Sequence, residues 1–585
     1  MPEPRCTHPP ADLLQHLIAA QAETGWLSPV QISTIADRLD LPRAQVAGVV
    51  DFYSFLYDRP VGAYRVLFSD NITDRMQGSV ALMQAMGRKL WLEPGKVSED
   101  GLVSLDTTSC TGLCDQGPAL LVNGRPITRL NDARINELCD LIRRRVPLDA
   151  WPADYFRVEH PVRRADYLLD RPLAAGVALA RALSLGPEAV IAEIERAGLR
   201  GRGGAGYPTA QKWAACRAAP GERVVVANAD EGEPGTFKDR VLLARAAEAL
   251  FEGMTVCAYA IGARQGFLYL RGEYAFLRPE LENILARRRA DGLLGANILG
   301  QAGFDFDIVI HLGAGAYICG EESALIESLE GKRGIPRNRP PFPVTHGYLG
   351  RPTVVNNVET LCAAAAIVAR GGADYARLGT FASRGTKLLS VAGDCARPGV
   401  YEYPWGVTVA EVLDDCGAAN SAAVQVGGPS GACIDAREFG RRLAFEDLPT
   451  AGAFTVFDDS RDLFEVAHNY AGFFAHESCG FCTPCRVGTA MQKYLMDRIA
   501  AGHGTLSDLA ELERLDDVLR STAHCGLGHT AGNPVRDTLR RFRPAYERRL
   551  ATLRHRPAFD LDAALAAARR MTGRDDAGAH LGTES

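Results

Sequence analysis

Three closely spaced cysteines near the C-terminus constrain this chain more than any other feature. Cys479, Cys482 and Cys485 recur at every third residue, so the short loops between them let neighbouring sulfurs reach one small metal core. Cys525, in a glycine-bearing loop, supplies a remote fourth thiolate, and this ligand set is typical of a [4Fe–4S] cluster. A Cys₄ zinc site is the alternative. Zinc sites more often pair two separated C-x-x-C knuckles, so the spacing favours iron–sulfur.

The composition is that of a soluble globular protein. Hydrophobic residues make up 47% and charged residues 23% of the 585 residues, a length that suits about three or four domains. The formal charge of −6 argues against a nucleic-acid partner, which would require a basic face. No apolar run approaches the ~20 residues that span a bilayer, and residues 1–10 lack the pattern of an export signal. We therefore expect a cytoplasmic protein.

In a reducing compartment the fifteen cysteines are expected to be thiols or metal ligands rather than disulfides. Those that occur singly are predicted to be small buried apolar residues. They are Cys216, Cys257, Cys362, Cys395 and Cys433.

The order of predicted helices and strands indicates a multidomain α/β protein. Short helices open the chain, and a strand–helix–strand–hairpin–helix order from Tyr64 onward is thioredoxin-like. A proline-containing linker, a second α/β unit, a β-grasp-like unit of short strands and a helical unit with the cysteine cluster follow. The predicted boundaries are 1–148 for the helices and thioredoxin-like domain, 149–185 for the linker, 186–380, 381–458, 459–550, and 551–585 for the C-terminal tail.

A glycine-rich loop opens the second α/β unit. Gly201, Gly203 and Gly206 formally satisfy a G-x-G-x-x-G pattern, but residues 187–200 before it have helical rather than strand periodicity. The context of a standard dinucleotide fingerprint is therefore missing. The small residues still let backbone N–H groups approach a phosphate or a planar ring, and Lys212 offers a cation.

A second glycine-rich loop, residues 313–320, follows the predicted strand Phe306–Leu312 and leads to Glu321 and Glu322. These two acids could merely favour the positive N-terminus of a helix. Other predicted strands also end in polar residues beside glycines, however. Those residues are Asn228, Asp230, Glu231, Glu233, Asn356, Asn357, Glu359 and Thr360. Together the segments suit a ring with many hydrogen-bonding edges and a ribityl-type chain better than a simple phosphate.

Five long motifs, in order, make a family resemblance specific. GLRGRGGAGYPT, NADEGEPGTFKDR, GAGAYICGEESAL, PTVVNNVET and ESCGFCTPCR resemble the NADH-binding flavoprotein subunit of respiratory complex I and its soluble relatives, over residues 186–545. The whole chain is most similar to the diaphorase flavoprotein subunit of soluble NAD-reducing nickel–iron hydrogenases, because its N-terminal half resembles the small thioredoxin-like partner subunit of complex I. The resemblance implies a Rossmann-like FMN/NADH domain at 186–380 and a cluster-bearing helical bundle at 459–550.

The resemblance also implies roles for the residues that match the motifs. The FMN site would comprise Gly201, Arg202, Gly203, Gly204, Lys212, Asn228, Asp230, Tyr317, Gly320, Glu321, Asn356, Asn357 and Thr360. NAD(H) would contact Tyr207, Glu231, Glu233, Glu322 and Phe342, with stacking by the two aromatic rings. The [4Fe–4S] ligands would be Cys479, Cys482, Cys485 and Cys525. Ala215 stands where the family commonly has an aromatic residue, and Arg339 where it has lysine.

The N-terminal domain departs further from the family pattern. The thioredoxin-like partner binds a [2Fe–2S] cluster with two cysteine pairs, and only the second pair is present here, as Cys110 and Cys114. The first pair falls on Ser69 and Asp74, residue types that rarely ligate iron. We expect a docking domain that has kept its fold and lost its metal, with a [2Fe–2S] cluster as the alternative.

The resemblance implies an NAD-dependent oxidoreductase, a diaphorase subunit that moves hydride between NAD(H) and FMN and single electrons between FMN and the [4Fe–4S] cluster. No side chain need act as catalytic acid or base, because hydride passes directly between the two rings. The implied partners are an iron–sulfur diaphorase subunit and hydrogenase subunits, so that H₂ oxidation is coupled to NAD⁺ reduction.

Two other readings remain open. One is a subunit of complex I or of an NAD-dependent formate dehydrogenase. The other is a non-catalytic electron-transfer or assembly scaffold, against which the intact glycine loops and acids argue.

Overall fold

Three β-sheets and their connecting helices make up the computed structural model, which describes residues 12–551 and 561–575. Residues 1–10, which were predicted to contain no export signal, and most of the predicted C-terminal tail lie outside these ranges. Within them, no helix is both long and apolar enough to traverse a lipid bilayer. All described cysteines are free thiols, and the singly occurring ones are buried except for the half-buried Cys395. This confirms the prediction that they are not part of a disulfide framework.

Three helices open the chain, α1 (Leu13–Thr24), α2 (Pro29–Leu39) and α3 (Arg43–Phe52). α2 begins at Pro29, where Ser28 and Gln31 form a reciprocal capping box at its N-terminus. The buried faces of these helices share one hydrophobic core with Val224 and Tyr269 of the second α/β unit. The helices therefore cover a face of that unit, although the sequence grouped them with the thioredoxin-like domain.

The thioredoxin-like domain is built on a five-stranded sheet of order β2-β3-β1-β4-β5. Its elements are β1 (Tyr64–Ser69), α4 (Ile72–Met76), α5 (Ser79–Leu90), β2 (Lys96–Val97), β3 (Val103–Thr108), β4 (Leu120–Val122), β5 (Arg125–Ile127) and α6 (Asp132–Arg143). β1 pairs in parallel with β3 and antiparallel with β4. The predicted hairpin is confirmed: Asn123 and Gly124, at φ 50° and 80°, form the turn between β4 and β5.

The segment predicted to be a linker, 149–185, contains regular structure. β6 (Val162–Arg164) extends the edge of the third sheet, and α7 (Val177–Leu185) buries Ala178, Leu179 and Ala182. The prolines mark the ends of these short elements, while the apolar stripe of α7 packs against the second α/β unit.

The second α/β unit has a four-stranded parallel sheet of order β10-β7-β8-β9. Its strands are β7 (Arg223–Ala229), β8 (Ala263–Leu270), β9 (Asp307–Leu312) and β10 (Thr353–Asn357). Its helices are α8 (Pro187–Ala197), α9 (Thr209–Ala218), α10 (Lys238–Arg245), α11 (Ala247–Ile261), α12 (Arg278–Ala290), α13 (Glu322–Leu329), α14 (Pro343–His346), α15 (Val358–Arg370) and α16 (Gly372–Ala376). Because parallel strands end at one edge, the polar residues after β7, β9 and β10 meet there, where α/β sheets bind ligands.

A mixed six-stranded sheet follows, in the order β14-β13-β15-β11-β12-β6. Its further elements are β11 (Thr386–Gly393), β12 (Gly399–Pro404), α17 (Val409–Cys416), β13 (Ser421–Val426), β14 (Ala432–Asp435) and β15 (Ala453–Asp458). The C-terminal helices are α18 (Leu463–Glu477), α19 (Thr483–Ala500), α20 (Leu506–Thr522), α21 (Gly526–Thr530), α22 (Asn533–Arg541), α23 (Arg543–Glu547) and α24 (Leu561–Thr572). The multidomain α/β fold is as predicted, and the exact domain boundaries stay a prediction.

Candidate flavin, nucleotide and cluster site

The first glycine-rich loop follows helix α8, which confirms that no strand precedes it. Its backbone is pinned to the carboxyl edge of the sheet, because the N–H of Arg202 donates to Thr360 Oγ1 at 2.9 Å. An added Cβ at Gly203 would come within 3.2 Å of the Asn357 side chain, and one at Gly206, where φ is +64°, within 2.4 Å of Phe445. Glycine is therefore required where the loop crosses this edge.

The predicted phosphate cation lies beside an acid of the second loop. Lys212 Nζ is 2.7 Å from Glu322 Oε2 and 3.2 Å from the carbonyl oxygen of Val355. The neighbouring Glu321 caps α13 by accepting the N–H groups of Ser323 and Ala324, so the helix-stabilising interpretation holds for its side chain. Arg339, which stands where the family commonly has lysine, forms an ion pair with Glu321 at 3.2 Å.

Asp230, after β7, is a buried acid at the edge of the parallel sheet. It is only 6% exposed, and its Oδ2 has no hydrogen-bond partner among the described residues. Burial raises the pKa of this carboxyl well above its ordinary value. A glycine at 320 leaves space near Oδ2, since an added Cβ would lie 3.7 Å away. An orphaned buried oxygen at the edge of a parallel sheet fits a flavin, whose ring can supply the donor.

Two further acids, the buried Glu231 and the half-buried Glu233, follow Asp230 along the chain. Glu233 accepts from Tyr317 Oη at 2.5 Å and from the Ser430 N–H at 2.8 Å, and burial raises its pKa to about 7. Burial is the main cause, and the negative charge of Asp239 the second, of a pKa of Glu231 that is also raised to about 7. The structure thus holds both predicted NAD(H) acids in fixed orientations.

The two predicted stacking residues are large aromatic side chains left in solvent. Tyr207 is 53% exposed and Phe342 is 52% exposed. Exposed rings beside a glycine-rich loop are available to stack on a planar ligand.

The remaining predicted FMN residues make protein contacts around the loop. Asn228 Nδ2 donates to the carbonyl oxygen of Gly320 at 2.9 Å, and Asn356 Oδ1 accepts from Trp213 Nε1 at 2.9 Å. Asn357 caps α15 through the N–H of Glu359. These side chains join the strand ends to the loops, so their contribution is to hold the shape of the pocket.

A buried ionic network beneath the loop was not predicted from the sequence. Glu359 accepts from Lys387 Nζ and lies 3.0 Å from Lys238 Nζ, which also contacts Asp239 at 2.6 Å. Lys387 Nζ also lies 3.4 Å from the carbonyl oxygen of Arg202, in the glycine loop. Burial would raise the pKa of Glu359, but these cations hold it below its ordinary value, whereas burial lowers the pKa of Lys387 to about 7.

The four predicted cluster cysteines converge on one small cavity. Cys485 lies in the first turn of α19, Cys482 is at its N-cap position and Cys479 is in the loop before it, while Cys525 is at the N-cap position of α21. Backbone N–H groups reach the sulfurs, those of Leu527 and Gly528 for Cys525 and that of Phe481 for Cys479. Glycine at 528 is needed because an added Cβ would lie 2.5 Å from Ala523 Cβ and 3.2 Å from Cys485 Cβ.

The four thiols line one cavity, and their C-x-x-C-x-x-C spacing with one remote cysteine suits a [4Fe–4S] cluster. Burial raises the pKa of Cys485 to about 12 and that of Cys525 to about 11, so bound iron is what would keep them as thiolates.

The second cysteine pair does not form a comparable site. Cys110 and Cys114 have their sulfurs 3.6 Å apart, but Ser69 donates to Asp74 Oδ2 at 2.7 Å, and Asp74 Oδ1 accepts from the Ala119 N–H at 2.8 Å. Burial raises the pKa of Asp74 to about 8, so this carboxyl is largely protonated at neutral pH and a poor iron ligand. The residues present do not fit a [2Fe–2S] cluster.

Restoring two cysteines should restore this second site. We expect Ser69→Cys/Asp74→Cys to bind two more irons per chain and to add a [2Fe–2S] absorption band, because four thiolates then face one another. Iron analysis and EPR after anaerobic reconstitution measure this, with Ser98→Cys/Asp100→Cys, an exposed pair in the same domain, as the matched control. Two additional irons in the unsubstituted protein would show instead that Ser69 and Asp74 are sufficient.

Three family models match the chain in the order of these sites. They are described as Thioredoxin-like [2Fe-2S] ferredoxin over residues 4–143, Nuo51 FMN-binding domain over 194–366, and NADH-ubiquinone oxidoreductase-F iron-sulfur binding region over 465–549. Fold and site together define a class of FMN- and iron–sulfur-dependent NAD(H) oxidoreductase subunits.

Two known proteins resemble the chain over nearly its whole length. The NAD-reducing hydrogenase HoxS subunit alpha of Cupriavidus necator is 44% identical over 94% of this chain and 94% of its own. The crystal structure of an NAD⁺-reducing [NiFe]-hydrogenase in the H₂-reduced state has a chain of TM-score 0.89 and 46% identity, covering 98% of this chain and 99% of that one. An NADH-quinone oxidoreductase subunit of Aquifex aeolicus is 43% identical over 63% of this chain and 88% of its own. The chain therefore belongs to the family of NAD-reducing hydrogenase alpha subunits.

Proposed function

We propose that this chain is the diaphorase subunit of a hydrogen:NAD⁺ oxidoreductase. The unpaired oxygen of buried Asp230, at the edge of the parallel sheet, is the observation that carries the proposal, because it needs a hydrogen-bond partner and the edge of the FMN ring offers both donors and acceptors. When bound, FMN exchanges hydride with the nicotinamide and single electrons with a [4Fe–4S] cluster.

The protein holds the flavin mainly through its backbone. The loop from Gly201 to Gly204 offers backbone N–H groups, Gly204 adopts a φ of +117° that side chains rarely allow, and Lys212 supplies the cation for the phosphate. Since Lys212 is bonded to Glu322 in the structure, the acid keeps the ammonium group in place until a phosphate binds.

The nucleotide is oriented by acids and aromatic rings. Glu231 is buried and Glu233 is half-buried at the edge of the sheet, where they accept from ribose hydroxyl or carboxamide donors, while Tyr207 and Phe342 cover the rings. No side chain transfers a proton in this scheme, since hydride moves between two stacked rings.

The cluster site opens towards a surface suited to a partner. Phe481, Val487, Met491 and Tyr494, beside the cysteines, are 49%, 49%, 40% and 53% exposed. Apolar side chains grouped on a surface mark protein–protein contacts, which supports an iron–sulfur subunit here and hydrogenase subunits beyond it. We place the assembly in the cytoplasm.

An anaerobic titration of the purified holoprotein with NADH tests the function. We expect the flavin band to bleach and a reduced-cluster EPR signal to appear, with far less bleaching by NADPH. A flavin-loaded, iron-loaded protein that NADH leaves unchanged would contradict the proposal and favour a non-catalytic scaffold.

A further inference from the structure

A loop of the thioredoxin-like domain, residues 110–115, reaches the surroundings of Glu231. The carbonyl oxygen of Cys110 accepts from Arg271 Nη2 at 2.8 Å, and Nη1 of the same guanidinium donates to the carbonyl oxygen of Glu231 at 2.5 Å. Arg271 is 5% exposed and is held in turn by both carboxylate oxygens of Glu273. One buried cation therefore joins the loop to the backbone of a predicted NAD(H) residue.

The middle of the loop presses on a tyrosine that binds the Glu231 side chain. Tyr274 is fully buried, and its hydroxyl donates to Glu231 Oε2 at 2.9 Å. Gly112, at φ +70°, lies against this phenol, since an added Cβ would be 2.3 Å from the hydroxyl oxygen. Any other residue at position 112 would displace the hydroxyl.

The end of the loop anchors the other donors to Glu231. Asp115 accepts from Arg240 Nη2 through both oxygens, at 2.7 and 2.8 Å, and neither side chain is exposed to solvent. The backbone N–H groups of Arg240 and Asp239 donate to the two oxygens of Glu231, at 3.1 and 2.7 Å. The start of α10, which orients the carboxylate, is thus fixed by the neighbouring domain.

We propose that the 110–115 loop is a positioning element of the NAD(H) site, which fixes the Glu231 carboxylate through Tyr274 and Arg240 and thereby sets the affinity for NAD(H). The inference rests on the proposed function, because it takes Glu231 to contact the nucleotide. The loop that contains Cys110 and Cys114 therefore has a role that requires no bound iron. Because the Glu231 carboxylate is already held in place before NAD(H) binds, less side-chain conformational entropy is lost on binding.

The first test removes one hydroxyl. We expect Tyr274→Phe in the holoenzyme to raise KM for NADH about three- to tenfold, as one lost hydrogen bond predicts, with kcat and FMN content unchanged. Tyr546→Phe is the matched control, because Tyr546 is equally buried and loses a hydroxyl contact to Thr538 in the helical domain. An unchanged KM in Tyr274→Phe would overturn the inference.

The second test acts from the thioredoxin-like side. Gly112→Ala should raise KM in the same way, whereas Gly101→Ala should not, since Gly101 has a similar φ of +66° in the same domain and open space around it. Equal KM values for the two alanine variants would mean that the loop does not act on Glu231.

A double-mutant cycle separates this inference from the proposed function. Glu231→Gln should weaken NADH binding, and Tyr274→Phe should then add little, because both changes break the same bond. Additive effects would overturn the positioning role alone. If Glu231→Gln leaves NADH binding unchanged, the assignment of Glu231 to NAD(H) fails, and the inference fails with it.

Discussion

Cys482→Ala should separate flavin reduction from electron transfer to a partner. The substitution removes one of four thiolates around the cluster cavity, and a three-thiolate set does not hold a [4Fe–4S] core stably. We expect NADH still to bleach the flavin, because the flavin residues lie on the α/β unit. The reduced-cluster EPR signal and the reduction of an iron–sulfur partner should be lost almost completely.

The control is Cys139→Ala, which removes another thiol, buried in α6 of the thioredoxin-like domain. It should keep the iron content and the EPR signal of the unsubstituted protein. A dye that accepts electrons from the flavin should be reduced at the normal rate in both variants. If Cys482→Ala retained a normal cluster signal, a different fourth ligand would have to be found.

Glu359→Leu should have the largest effect on stability. It would leave Lys387 and Lys238 buried, and only Lys238 would keep a second acid, Asp239. Breaking a buried ion pair costs about 3–5 kcal/mol, because Lys387, whose pKa burial already lowers to about 7, must then stay charged without a partner or give up its proton on folding. FMN retention should fall as well, since Lys387 also contacts the carbonyl oxygen of Arg202 in the glycine loop. The thermal midpoint and FMN content of the holoprotein measure both effects.

Removing Lys387 as well tests whether its unpaired ammonium group causes the loss of stability in Glu359→Leu. Glu359→Leu/Lys387→Met should recover most of the lost stability, because an apolar pair of similar volume replaces a buried salt bridge at little cost. Glu511→Leu, which breaks an exposed pair with Arg514, should barely change the midpoint. A double variant no more stable than Glu359→Leu would show that packing, not the stranded charge, causes the loss.

The sequence predicts best those features that depend on spacing along the chain. The cysteine triplet, the Asn123-Gly124 hairpin and the helix before the first glycine loop are all found in the structure. Each is a local pattern whose chemistry does not change with its surroundings.

Features that depend on packing between distant segments were not predictable. The apolar faces of helices α1–α3 can be recognised in the sequence, but the segment that packs against them cannot. In the structure these faces share a hydrophobic core with Val224 and Tyr269. Lys238 lies within a recognised motif, yet its burial against Glu359 follows only from the fold. Tyr274 and Gly112, in different domains, carry no sequence signal that they touch.

The covering of the second α/β unit by α1–α3 has a consequence for synthesis. Gln15 in α1 donates to the carbonyl oxygen of Leu312 at the end of β9, 297 residues later. At about 5–20 residues per second, the ribosome needs on the order of tens of seconds to make the intervening chain. The thioredoxin-like domain, with all its pairings between residues 64 and 127, can fold during that time. Helix α1 therefore gains this contact only after the thioredoxin-like domain has been synthesised, and that domain folds as an insertion between two parts of one core.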